Sequence, residues 1–140
     1  GLMPISAVLA DEAVMGLFKP GEHGSTFGGN PLACECALAA MDVLEQEHLV
    51  ERSNEMGNYF VQELKKINSP HVKEIRGKGL LIGVELKPEV GSARPFCEAL
   101  MKKGLLCKET HEHVIRFAPP LVISKEELDW ALGHVREVLK

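Results

Sequence analysis

At Asn68-Ser69-Pro70 the hydrophobic pattern of this chain changes its period, and that change limits the folds open to everything after it. Before it, Leu49, Met56, Phe60, Leu64 and Ile67 recur at helical spacing with charges between them, and the Asn-Ser-Pro step stops the helix. After it, Val72-Lys73-Glu74-Ile75-Arg76 reads as a strand, Gly77-Lys78-Gly79 as a tight connection and Leu80 to Leu86 as a second strand. A helix is expected from Pro95 to Lys103, ended by Gly104. Leu105-Leu106-Cys107 and Val114 to Ala118 are expected as two further strands, and Pro119-Pro120 forbids continuation of the second. Ser124 is placed to cap a last helix bearing Leu128, Trp130, Ala131, Val135, Val138 and Leu139. Strands, helix, strands and helix in that order make a small α+β unit of about 70–90 residues, enough for its own core.

Upstream, Gly24-Ser25-Thr26-Phe27-Gly28-Gly29-Asn30-Pro31 joins two small hydroxyl residues and a glycine-rich turn to a helix start. Asn is a preferred N-cap, and Pro suits the first helical position because its missing N–H would be orphaned there. Free N–H groups and the positive end of the helix dipole gather at such a junction, which suits an anion such as a phosphate. Ser25 and Thr26 add hydroxyl donors, and the glycines let a ligand approach the backbone. The residues are equally compatible with a turn that only caps the helix. The helix from Pro31 is apolar nearly all round until Glu45-Gln46-Glu47-His48, so it is expected to be buried. Ile5 to Leu9 are expected as a short buried strand, and Asp11-Glu12 as the start of a brief helix through Phe18. The polar step near Glu45 to His48 is a joint between two helices or two domains, dividing the chain into 1–46 and 47–140. The opening, Gly1-Leu2-Met3-Pro4, is the kind of apolar start expected of a chain entered in mid-domain.

Other groups carry less. Arg116 interrupts an apolar strand, so it either needs a carboxylate partner for its planar fork or lies on the solvent face of an alternating strand. Lys78 is expected to be a solvated lysine, since the surrounding glycines do not make a P-loop. His111-Glu112-His113 has metal-like residue types without a third ligand nearby, and is expected to be a polar loop with no metal. His23 lies near the glycine-rich turn. Cys34 and Cys36, two apart on a helix, point in different directions, and all four cysteines are expected as reduced thiols of a cytoplasmic protein. A net charge of −4 without a basic block gives no reason to expect nucleic acid, and no apolar run approaches the length of a membrane span.

Three stretches together resemble a known family. His23 to Ala33 resembles the motif that follows the cofactor lysine in subgroup III aminotransferases, and Arg76 to Gly83 resembles the start of their C-terminal domain. Gly104 to His111 with Val114 to Ile123 is similar to the ornithine branch of that family. The resemblance implies an α/β fragment of the pyridoxal-phosphate transferase fold type I: the end of the large domain, a long connecting helix and a small α+β C-terminal domain. It implies pyridoxal 5′-phosphate as cofactor, a cytoplasmic homodimer with shared active sites, and transfer of the ornithine δ-amino group to 2-oxoglutarate in proline and arginine metabolism. Ser25 and Thr26 would bind the cofactor phosphate across the dimer interface, and Arg116 would stand near the substrate, as the arginine that pairs with an active-site glutamate in the ornithine enzymes and binds a carboxylate in related aminotransferases. No catalytic residue is assigned, because the family's cofactor lysine belongs before Gly1, and the segment is expected to be inactive alone. An acetylornithine or 4-aminobutyrate enzyme, or a non-catalytic α+β module binding a phosphorylated ligand or partner, remains compatible with the same residues.

Overall fold

The computed structural model describes residues 3–140. The chain falls into two compact units, Gly1–Glu47 and His48–Lys140.

In the first unit the regular elements are a four-residue helix, α1 (Glu12–Met15), and α2 (Pro31–Gln46). Helix α2 starts where its residues dictate. Asn30 is extended (φ −65°, ψ 143°), its side-chain oxygen accepts from the Ala33 N–H at 2.9 Å, and Pro31 takes the first helical position. Two expectations fail here. Residues 5–9 are exposed and form no strand, because no other strand among the described residues of this unit can take their backbone groups. Helix α2 is not buried: Ala33 alone is, while Leu32 is 65% and Met41 63% exposed. An apolar helix is covered only where another element lies against it, and a loop and one helical turn cannot enclose sixteen residues.

The second unit begins at His48, whose left-handed backbone (φ 51°, ψ 39°) precedes α3 (Leu49–Lys65). Strands β1 (Val72–Lys78) and β2 (Leu81–Leu86) form a hairpin. A single 3-10 turn leads to α4 (Arg94–Lys102), followed by β3 (Lys108–Thr110), β4 (Val114–Phe117) and α5 (Lys125–Val138). The four strands make one antiparallel sheet in the order β1-β2-β4-β3. Strand β3 starts three residues later than the apolar run Leu105-Leu106-Cys107 suggests. Gly104 (φ 86°) and the Leu105 N–H bonded to Leu100 C=O close α4, so residues 105–107 cross from helix to sheet and pairing begins at Lys108 opposite Arg116.

Helices α3 and α4 lie against the sheet and α5 against both helices. Alternation sends Ile82, Val84, Ile115 and Phe117 into the core with Phe60 and Leu64 of α3, Leu100 of α4 and Leu128, Leu132 and Val135 of α5. Phe60 meets Phe117 edge to face at 5.7 Å between centroids. The tightest contact joins α3 to the β1–β2 turn. A Cβ on Gly57 would sit 2.1 Å from the Gly79 carbonyl oxygen, and Ser53 Oγ accepts from the Leu80 N–H at 3.1 Å. Arg52 on the same helix donates to the Ile123 carbonyl at 2.6 Å, tying down the Pro119–Ser124 loop. Helix α5 opens with a full capping box: Ser124 Oγ accepts from the Glu127 N–H at 3.1 Å and Glu127 accepts from the Ser124 N–H at 2.8 Å.

Two stability outcomes follow from these contacts. Gly57→Ala should lower stability by about 3 kcal/mol, because backbone meets backbone and no flexible side chain can yield. Ser124→Ala should cost about 1 kcal/mol for the lost cap. Urea unfolding of both variants checks the order: a smaller loss at Gly57 than at Ser124 would contradict the packing described.

Candidate functional site

In the first unit the hydroxyl-bearing turn is open to solvent. Ser25 Oγ accepts from the Gly28 N–H at 3.1 Å, and the Asn30 amide donates to the Phe27 carbonyl at 2.8 Å. These two bonds fold residues 25–30 into the approach to α2. The Ser25 hydroxyl proton stays free to donate, since its oxygen serves here as an acceptor. The Thr26 side chain has no hydrogen-bond partner among the described residues and is exposed. Gly29 is left-handed (φ 69°), and a Cβ there or on Gly24 would meet nothing within 4 Å. His23, Ser25, Gly28, Gly29 and Asn30 line one recess, and His23 also stacks at a tilt on Phe18 at 5.9 Å. The recess thus presents the Ser25 hydroxyl and a helix N-terminus with open space before them, donor chemistry suited to a phosphate, while Thr26, next in the chain, does not line it.

In the second unit the sheet has one covered face and one open face. The open face carries Glu74, Arg76 and Lys78 of β1, Leu81, Gly83 and Glu85 of β2, Val114 and Arg116 of β4, and Lys108 of β3, as the register dictates. Arg116 is exposed, so the solvent-face alternative describes its place. It stands directly opposite Gly83 on one side and Lys108 on the other. Because Gly83 has no side chain, a shallow recess opens over it, lined by Arg76, Gly83, Thr110, His111 and Arg116. Arg116 makes no ion pair or side-chain hydrogen bond among the described residues. Its fork is therefore open to a carboxylate.

Beside it lies an ion network not singled out in the sequence. Glu85 is held by both oxygens: Lys73 Nζ at 2.5 Å from Oε1 and Arg76 Nη1 at 2.5 Å from Oε2. The same Nη1 reaches Glu74 at 2.9 Å. Bonds from Lys73, then from Arg76, hold the Glu85 carboxyl below its usual range, and the bond to Glu85 raises Lys73 in turn. The alternation of Glu74 and Arg76 with Glu85 on the neighbouring strand was a visible signal for part of it. Lys73 was not visible, because strict alternation would turn it to the covered face. A bulge between Val72 and Glu74 brings it round to Glu85.

The remaining candidates settle as follows. Lys78 ends β1 and is exposed. His111-Glu112-His113 makes the β3–β4 turn, with His111 and Glu112 left-handed (φ 46° and 63°) and His113 Nδ1 2.9 Å from the Gly91 carbonyl oxygen. No group of His, Cys, Asp and Glu suited to a metal occurs among the described residues. Cys34 and Cys36 are half-buried and Cys97 is buried, all as free thiols; burial pushes the Cys107 thiol up to about 12. No helix among the described residues is long and apolar enough to cross a membrane.

Comparison with known proteins bears on the whole segment. Residues 1–139 match the family described as aminotransferase class-III. The chain is 63% identical over 139 residues to the ornithine aminotransferase of Brevibacillus brevis, covering 99% of this chain and 34% of that protein. It is 59% identical over 140 residues to the ornithine aminotransferase of Bacillus subtilis, again covering 34% of the relative. Among solved structures, the ornithine aminotransferase of Plasmodium yoelii superposes with a TM-score of 0.84 at 40% identity, over 94% of this chain and 35% of that one. The acetylornithine aminotransferase of Elizabethkingia anophelis gives 0.81 at 43% identity, over 94% and 34%. The chain thus spans about a third of the length of the relatives it matches. With a family match that runs almost end to end, the chain belongs to the class-III aminotransferases.

Proposed function

We propose that the full-length protein carrying this segment is an ornithine aminotransferase, moving the δ-amino group of ornithine to 2-oxoglutarate. The observation that carries the reading is identity of 59–63% to ornithine aminotransferases over essentially every residue. Pyridoxal 5′-phosphate, when bound, supplies the electron-withdrawing ring that amino-group exchange requires. The family's cofactor lysine is assigned to a part of the protein outside these 140 residues, in keeping with the order of the motifs.

Within this reading the chain's own residues have two tasks. The Ser25 and Thr26 hydroxyls, with the backbone at the start of α2, hold the cofactor phosphate as a fixed set of donors. They do so in the neighbouring subunit of a cytoplasmic homodimer, so each active site is shared. Arg116 holds a substrate carboxylate by its planar fork, which fixes orientation as well as position. Neither task moves a proton; both position the reacting groups.

A second reading changes only the amino donor. Likeness to an acetylornithine aminotransferase at 43% identity favours it as an alternative, and initial rates with ornithine against N-acetylornithine separate the two. Faster turnover of N-acetylornithine would displace the ornithine assignment.

Thr26→Ala in the full-length protein should weaken cofactor retention by roughly 1–3 kcal/mol, the cost of one lost bond to a charged group. Dialysis against a cofactor-free buffer, followed by absorbance, reads it directly. Arg116→Lys should lower kcat/KM for the oxo acid by roughly tenfold with the fold intact, since a point charge cannot replace two parallel bonds. Steady-state kinetics indistinguishable from the parent would remove Arg116 from the site.

A further inference from the structure

Neither the phosphate task nor the carboxylate task uses the two cysteines of the second unit, Cys97 and Cys107, which are free thiols. We infer that they form a modification site: a thiol pair that hydrogen peroxide converts into an intrachain disulfide joining α4 to the approach of β3.

Chain geometry brings the two together. From Cys97 the helix rises about 9 Å to its C-cap, Lys103. Gly104 (φ 86°) then reverses the chain, and the three steps on to Cys107 cover up to about 10 Å. Cys107 thus returns to the level of Cys97. Two contacts bracket the pair: the Leu105 N–H donates to the Leu100 carbonyl at 3.0 Å on one side, and Arg94 Nη1 lies 3.1 Å from Glu109 Oε1 on the other. Alternation puts Leu105, Cys107 and Glu109 on one face of the returning segment, the face turned to α4. Cys97 and Leu100 are the buried residues of that helix. Cys97 belongs to the core, and Cys107 packs against the same core.

Surroundings decide which sulfur reacts first. Burial, the largest influence, raises both thiols, Cys107 to about 12. The two lie within hydrogen-bonding reach of each other, and that bond raises Cys107 while lowering Cys97, as it must when Cys107 donates to the Cys97 sulfur. Glu109 raises both, while Lys108 and Arg94 lower Cys97. Cys97 is therefore the attacking thiolate and Cys107 the resolving thiol. The Cys97 sulfur bonds to one peroxide oxygen, the O–O bond breaks, and the departing hydroxide takes the proton that Cys97 gave up, leaving as water. The Cys107 sulfur then displaces the hydroxyl of the Cys97 sulfenic acid: the S–S bond forms, the S–O bond breaks, and a second water carries away the Cys107 proton. Two thiols are oxidised and one peroxide is reduced to two waters.

The test treats the 140-residue chain with excess hydrogen peroxide, once in buffer and once unfolded in urea, then blocks the remaining thiols with iodoacetamide and maps tryptic peptides by mass. Cleavage after Lys102 and Lys103 puts Cys97 and Cys107 on separate peptides. Their disulfide then appears as a joined pair, about 2 Da lighter than the two thiol peptides together. In buffer this link should account for most of the disulfide formed, whereas in urea Cys34, Cys36, Cys97 and Cys107 should pair without that preference. Recovery of Cys97 and Cys107 both alkylated from buffer would overturn the inference, and so would the same pairing pattern in buffer and in urea. In Cys107→Ser the sulfenic acid on Cys97 has no resolving thiol and should be trapped by dimedone. A Cys97 left unlabelled in that variant would also count against the pair.

Discussion

The second unit depends on the approach of α3 to the β1–β2 hairpin. At Gly57 and Gly79 two backbones meet with no room for a methyl group between them, and Ser53 uses its hydroxyl to satisfy the Leu80 N–H at the same place. That contact sets the height of the helix over the sheet. Phe60 and Leu64, one and two turns further along α3, can then reach Phe117 and the β2 side chains. A wider spacing would open voids along the core, since interiors tolerate little slack. Arg52, on the preceding turn, extends the same seam to the loop before α5.

A sheet covered on one side by α3 and α4, with α5 packed against both, leaves its other side to polar chemistry. Period-2 alternation divides each strand between the two faces, so residues that fill the core and residues that meet a ligand are neighbours in the chain. Ile115 and Phe117 are core, while Arg116 between them is exposed. Rigid packing on the covered face gives the open face a fixed register, and a fixed register decides which charges meet. Lys73, Arg76 and Glu85 close into a network, and Arg116 makes no ion pair among the described residues.

The first unit has no comparable core. Its one buried side chain among the described residues, Ala33, is also the residue whose N–H is taken by Asn30. Local rules therefore account for the start of α2 completely and for its surroundings hardly at all. The apolar surface of α2 predicted burial, and the described residues of its own unit do not provide it. A helix's hydrophobicity states what it can bury, and a neighbouring element is still needed to bury it.

Sequence alone determined the features that rest on local chemistry. These include the Asn30-Pro31 helix start, the stop at Asn68-Ser69-Pro70, the strand expected over Leu80 to Leu86 and found at Leu81–Leu86, and the Ser124 cap of α5. It also determined membership of the aminotransferase family, because the motifs that carry it are contiguous runs. Tertiary structure decided the rest. It moved the expected strand at 105–107 to Lys108–Thr110, because a ladder forms only where a partner strand offers hydrogen bonds. It withheld a strand from residues 5–9 for the same reason. It placed Arg116 exposed on the open face of the sheet, opposite Gly83 and Lys108. Ion pairing depends on distances across strands, and a bulge at Lys73 changes those distances without any local mark in the sequence.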